Sequence, residues 1–143
     1  PTLAVVKQIT DFRENTGIQP ENLEKMHGVL DLMLASIQNC RRAGVKIGLG
    51  TDIFGTEYHD LQASEFRYRA EVDKPIDILR SATSINAEIM QRKGELGVIA
   101  AEAKADLIVL DESPLKNIAI FEKYRTSIPV ILRGGQLIRQ TLR

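Results

Sequence analysis

The residues best suited to chemistry lie in Val45-Lys46-Ile47-Gly48-Leu49-Gly50-Thr51-Asp52. Read as a strand over 45–50, this run alternates faces. Val45, Ile47, Leu49 and Thr51 fall on one side, and Lys46, Gly48, Gly50 and Asp52 on the other. Bulky side chains on the first side suit packing under helices, and the glycines on the second leave open space beside the strand. At the C-terminal end of that open side stands a carboxylate. In a parallel barrel the active site gathers at this end of the strands, which places Asp52 where catalysis would be. The alternative is a turn former: an Asp before Phe54-Gly55-Thr56 whose side chain bonds its own backbone. The segment by itself leaves both roles open. A phosphate-binding role is poor, because Gly48-Leu49-Gly50 lies within the strand and lacks the following Gly-Lys-Ser or Gly-x-x-Gly context.

The elements that must position this segment are readable from periodicity. Leu3 to Val6, apolar and rich in β-branched residues, is expected as a buried strand leading into the polar loop Asp11 to Gln19. Pro20 opens a helix whose stripe is Leu23, Met26, Leu30, Met33, Ile37 and Cys40, widened by Val29 and Leu34. Arg41-Arg42-Ala43-Gly44 ends it, with cations in the last turn and a glycine able to take the left-handed cap. A second helix is expected over Asp60 to Ala70, with Asp60 as N-cap, Leu61, Phe66 and Tyr68 as candidates for burial, and Glu65 and Arg67 facing solvent. Pro75 starts a third through Ala82, and Thr83 or Ser84 caps a fourth that runs to about Arg92 and stops at Gly94. Beyond it, Leu107 to Leu110 reads as a strand, and Val130 to Arg133 pairs with Gln136 to Arg139 across Gly134-Gly135. A boundary near Lys93 divides an α/β part, 1–92, from a small β part, 93–143.

Composition excludes several classes. The 143 residues are 43% hydrophobic with zero formal net charge, so the chain can bury a core and presents no basic field for nucleic acid. Its single cysteine, Cys40, precludes an internal disulfide and suits a reducing, cytoplasmic setting. No apolar run approaches the ~20 residues of a membrane span, and Pro1-Thr2-Leu3 lacks the pattern of a signal peptide. Pro1 fits either a processed start or a cut inside a longer polypeptide.

Several motifs occur in fixed order. They are Ile47 to Asp52; His59, Gln62 and Glu65-Phe66; Leu79 to Glu88; Gly94 to Ala100; Ala103 to Asp111; and Ser113-Pro114-Leu115. Together they resemble the C-terminal portion of the amidohydrolase superfamily, most closely its dipeptidase-like and imidazolonepropionase-like branch. The resemblance spans the whole chain, with Pro1-Thr2-Leu3 matching the seventh barrel strand. It implies the last strands and helices of a (β/α)8 TIM-like barrel followed by part of a small β-sandwich. It also implies a divalent metal, zinc by preference, as one or two ions, with Asp52 as both metal ligand and general base. A metal lowers the pKa of bound water from ~16 to about 7, and a carboxylate beside it can then shuttle the proton to a leaving nitrogen. The family's other metal ligands, a His-x-His pair, a Lys or Glu and two further histidines, belong to strands that do not match this chain. The sequence has two histidines in all. His27 is explained by helical spacing as a surface or packing residue. His59, in the loop that would roof the barrel mouth, is a solvated loop residue, a substrate contact or a support for the groups that touch the metal. The chain departs from the family at Glu102, where glycine is usual, and at Glu112-Ser113, where Gly-Asn is usual, which puts loop geometry in question.

The expectation is therefore the C-terminal part of a metal-dependent hydrolase of C–N bonds in a small amide or peptide, such as a dipeptide. It would need an N-terminal barrel segment in the same polypeptide or in another chain, and it leaves room for a homo-oligomer. The rival expectation is a noncatalytic scaffold or interaction module that has lost the metal site.

Overall fold

The computed structural model describes residues 1–11 and 19–142, and within it the side chains of Pro20, Leu23, Glu24 and His27 lie outside the description. The expected loop up to Gln19, the Leu23 position of the stripe and the role of His27 therefore fall largely outside the described residues.

The first element corrects the sequence reading. Leu3–Asp11 is a helix, α1, and not a strand. A β-branched run decides little when burial is one-sided. Leu3, Ala4, Val6 and Gln8 are buried, and Lys7 pairs with Asp11 one turn on at 3.2 Å. The chain satisfies its own backbone this way, whereas a strand here has no ladder partner among the described residues. The second helix, α2, runs Pro20–Arg42 with Pro at its first turn, as its spacing predicts. Gly44 adopts φ 70°, the Gly44 N–H donates to the Arg41 carbonyl at 3.0 Å and the Val45 N–H to that of Cys40 at 2.9 Å. This Schellman closure satisfies carbonyls that a helix end otherwise strands. Ile37 is fully buried against Leu3, Ala4 and Tyr68, with Leu30, Met33 and Leu34 packed alongside. Val29, expected in the stripe, is 38% exposed.

The expected strand over 45–50 forms no ladder among the described residues. Helical side chains and one helical carbonyl take over the role that neighbouring strands would have. Leu49 N–H donates to the Ser81 carbonyl at 3.3 Å, Asn86 Nδ2 to the Leu49 carbonyl at 2.8 Å, and Arg69 Nη1 to the Gly48 carbonyl at 3.4 Å. The open side expected beside Gly48 is filled by Asn86: a Cβ at residue 48 would sit 2.1 Å from Asn86 Oδ1.

The helix expected over Asp60 to Ala70 is split into a 3₁₀ turn, Thr56–Leu61, and α3, Ser64–Arg69. Ala63, with no side-chain cap, precedes α3. Asp60 is not the N-cap, because its carboxylate instead accepts from the Tyr124 hydroxyl and from Arg125 at 3.0 and 2.9 Å. Two bonds from a cationic guanidinium outcompete bonds to neutral backbone amides. The third and fourth helices are joined: α4, Pro75–Arg80, passes through a π turn, Ser81–Ile85, into α5, Asn86–Ile89. Neither Thr83 nor Ser84 caps a new helix, and the Thr83 hydroxyl donates back to the Leu79 carbonyl at 2.7 Å. The helical path ends before Gln91 and Gly94, which take φ 59° and 83°.

Three strands, β1 (Leu107–Val109), β2 (Val130–Arg133) and β3 (Gln136–Gln140), form an antiparallel sheet in sequence order. The turn between β2 and β3 is the expected one, with Gly134 and Gly135 at φ 55° and 80°. Between β1 and β2 lie a 3₁₀ turn, Ile118–Lys123, and α6, Tyr124–Ser127. Ile118, Ile120 and Phe121 leave the sheet to pack on Ile78, with Leu49, Ala63 and Phe66 at the margin. Glu102, one of the departures from the resembled pattern, sits at φ 70°, a conformation glycine adopts freely. The whole is a small α/β arrangement, and among the described residues no helix is long and apolar enough to cross a membrane.

Candidate active site

Asp52 is exposed at φ 55°, and its carboxylate makes no hydrogen bond or ion pair among the described residues. A turn former would bond its own backbone; Asp52 does not. Its placement comes from both sides. Upstream, Gly48 and Leu49 are held by Arg69, Asn86 and Ser81 as described. Downstream, the Gln8 amide of α1 binds both main-chain groups of Phe54: Nε2 donates to the Phe54 carbonyl at 2.6 Å, and Oε1 accepts the Phe54 N–H at 3.3 Å.

The support beneath the segment is charged and buried. Arg69, fully buried, donates from Nε and Nη2 to Asp73 Oδ2 at 3.0 and 2.7 Å. Arg41, at the end of α2, pairs with Asp73 Oδ1 at 2.7 Å. One carboxylate thus joins α2, α3 and, through Arg69, the backbone of Gly48. Buried ions persist only when paired in this manner.

Glu65, expected at the surface, is fully buried, which corrects the sequence reading. Its Oε2 accepts the Ala4 N–H at 2.7 Å, satisfying one of the orphan donors at the start of α1. The other oxygen, Oε1, is buried without a partner. Burial pushes the Glu65 carboxyl up to about 7, against the pull of the Ala4 amide and Arg69. Arg67 is exposed as expected, paired with Glu122 at 2.8 Å and lying over the Tyr68 ring.

His59 is exposed within the 3₁₀ turn. Its neighbour Asp60 is held below the usual carboxylate range by the Tyr124 hydroxyl and then Arg125. Asp52 and His59 join no group of three His, Cys, Asp or Glu side chains able to hold a metal among the described residues. Asp52, with an unpaired oxygen pair open to solvent, fits the part of one donor to a divalent cation; a complete ligand set is not present among these residues. A cavity of about 360 Å³ between α1 and α3 is lined by Gln8, Asp60, Ser64, Arg67, Tyr68 and Glu122 among others, and by neither Asp52 nor His59.

Sequence reasoning missed Gln8, Glu65, Arg69, Asp73 and Asn86. The spacing of Arg69 and Asp73, one helical turn apart, was the available signal for that pair. Glu65 carried none, since a Glu beside an Arg on a short helix reads as solvated.

Comparison with known proteins extends this picture. The profile of the Amidohydrolase family matches residues 6–137. A prolidase whose crystal structure holds N-methylphosphonate-L-proline is 38% identical, with a TM-score of 0.88 over 99% of this chain and 34% of that one. Ochratoxinase from Aspergillus niger is 28% identical over 126 residues, 86% of this chain and 25% of its own length. The crystal structure of a Xaa-Pro dipeptidase with bound methionine shares the fold, at 24% identity and a TM-score of 0.78 over 97% of this chain and 34% of that one. The chain spans about a third of the length of the prolidase and dipeptidase structures and a quarter of the ochratoxinase.

Proposed function

The chain belongs to the amidohydrolase family, and from that premise we propose that it forms part of a metal-dependent hydrolase that cleaves the C–N bond of a small amide or dipeptide. The observation that carries the proposal is the 38% identity, over 99% of this chain, to a prolidase complexed with a proline phosphonate. It supports a dipeptide with proline as the amine half, and hydrolysis over the noncatalytic scaffold.

In this proposal residues 1–92 contribute to a (β/α)8 barrel and residues 93–143 to a small β-sandwich. The barrel is completed by residues equivalent to those the relatives carry outside the matched span. Asp52 supplies one oxygen toward a divalent cation, zinc by this reading. When bound, the cation polarises the scissile carbonyl and lowers the pKa of water to about 7. Asp52 takes the proton of the attacking water as the new C–O bond forms. It returns that proton to the nitrogen as the C–N bond breaks, releasing the amine and a carboxylic acid. Gly50 and Thr51 carry no competing charge beside it. His59, on the exposed turn after Asp52, is assigned a substrate contact in this reading.

The test is turnover of Xaa-Pro dipeptides by the complete barrel with zinc supplied. Asp52→Asn should lower kcat by about 10²–10⁴-fold, the usual worth of a general base, with the far-ultraviolet spectrum unchanged. Full activity in that variant would remove Asp52 from the mechanism. His59→Ala should raise KM with little change in kcat.

A further inference from the structure

We propose that Gln8 is a positioning residue for Asp52, its buried amide clamping both main-chain groups of Phe54 and so fixing the turn on which the aspartate stands. Gln8 is 2% exposed, and its two bonds, at 2.6 and 3.3 Å, reach the half-exposed Phe54 from a buried side chain. Asp52 holds φ 55°, a conformation that a non-glycine residue keeps only when its surroundings impose it. Among the described residues nothing bonds the Asp52 side chain. Its restraint comes instead through the chain: Ser81, Asn86 and Arg69 before it and Gln8 after it. The helix that carries Gln8 is itself fixed, because Glu65 accepts the Ala4 N–H at 2.7 Å and Leu3 and Ala4 pack on Ile37. An amide is the suitable group here. It offers one donor and one acceptor at the spacing of a peptide edge, as a hydroxyl, a carboxylate or a thioether cannot.

The catalytic side of this inference rests on the assignment of Asp52 above; the structural side does not, and two measurements separate them. Gln8→Met keeps the volume and removes both bonds, and Gln8→Glu keeps an acceptor for the Phe54 N–H while losing the donor. In amide hydrogen exchange of this chain, the Phe54 N–H should exchange about tenfold faster or more in Gln8→Met, while the amides of α2 and α4 keep their protection. Gln8→Glu should fall between. Unchanged exchange at Phe54 would overturn the clamp, and so would a loss of protection spread evenly over α2 and α4 in both variants. In the active enzyme, Gln8→Met should lower kcat by about 10–100-fold, the scale of a misplaced catalytic group, at nearly constant KM. A clamp seen by exchange with kcat unchanged in Gln8→Met, while Asp52→Asn is inactive, would overturn the positioning role. Loss of the Asp52 assignment itself would show as an active Asp52→Asn enzyme.

Discussion

At the scale of single residues, Glu65 has a measurable consequence that does not depend on the role of Asp52. Its ordinary value is 4.5, and burial holds it at about 7 in the folded chain. Between those two values the unfolded chain binds fewer protons than the folded one, so stability falls as pH rises through this window and is lowest above it. The span corresponds to about 3 kcal/mol as an upper limit. Glu65→Gln preserves an acceptor for the Ala4 N–H and has no proton to lose. Urea unfolding at pH 5 and pH 8 should show wild type losing up to ~3 kcal/mol relative to the variant; parallel behaviour of the two would mean that Glu65 is solvated after all. Residue identity alone did not reveal this. A glutamate's burial is set by what packs over it, here the first turn of α1, and a misread of α1 as a strand removed the amide that explains it.

Elements show where local pattern suffices and where it does not. Helix α2 was legible down to its last turn, because periodicity, terminal arginines and Gly44 all act within a few residues of one another. The β2–β3 hairpin was legible for the same reason. Helix α1 and the segment 45–50 were not: each has β-branched residues suited to strands, but strand identity requires a partner, and the partner is not encoded in the run itself. The π turn was likewise read as a helix break, since Thr83 and Ser84 match caps that tertiary packing overrode. Its neighbour Gly97 supplies a test. At φ 68°, a Cβ there would lie 2.5 Å from the Thr83 carbonyl carbon and oxygen. Gly94, at φ 83°, has open space around the same position. Gly97→Ala should therefore cost about 1–3 kcal/mol beyond Gly94→Ala, the cost of the clash with Thr83 alone, measured by thermal or urea unfolding. Equal costs would show that residue 97 does not abut the π turn.

At the scale of the molecule, two apolar clusters share the work among the described residues. One joins α1, α2 and Tyr68; the other joins Ile78 with Ile118, Ile120 and Phe121 and so crosses position 93. Phe121 stacks on Phe66 with ring centroids 4.2 Å apart. Phe121→Ala should cost about 3–5 kcal/mol. Because the cluster ties the sheet-bearing part to α3 and α4, circular dichroism at helix and sheet wavelengths should report one shared transition in wild type. Separate transitions in wild type would mean that the parts on either side of Lys93 unfold independently.

The wide turn at Ser81–Ile85 sets a phase for everything downstream of it. Tightened into an ordinary helix with its five residues kept, it would rotate Asn86 by roughly 90° about the axis, carrying the amide away from Leu49 and its side chain out of the notch beside Gly48. The course of the backbone leading to the aspartate is thus written partly in the width of this one turn. A substitution that narrows this turn would be felt as a displacement of the segment leading to Asp52.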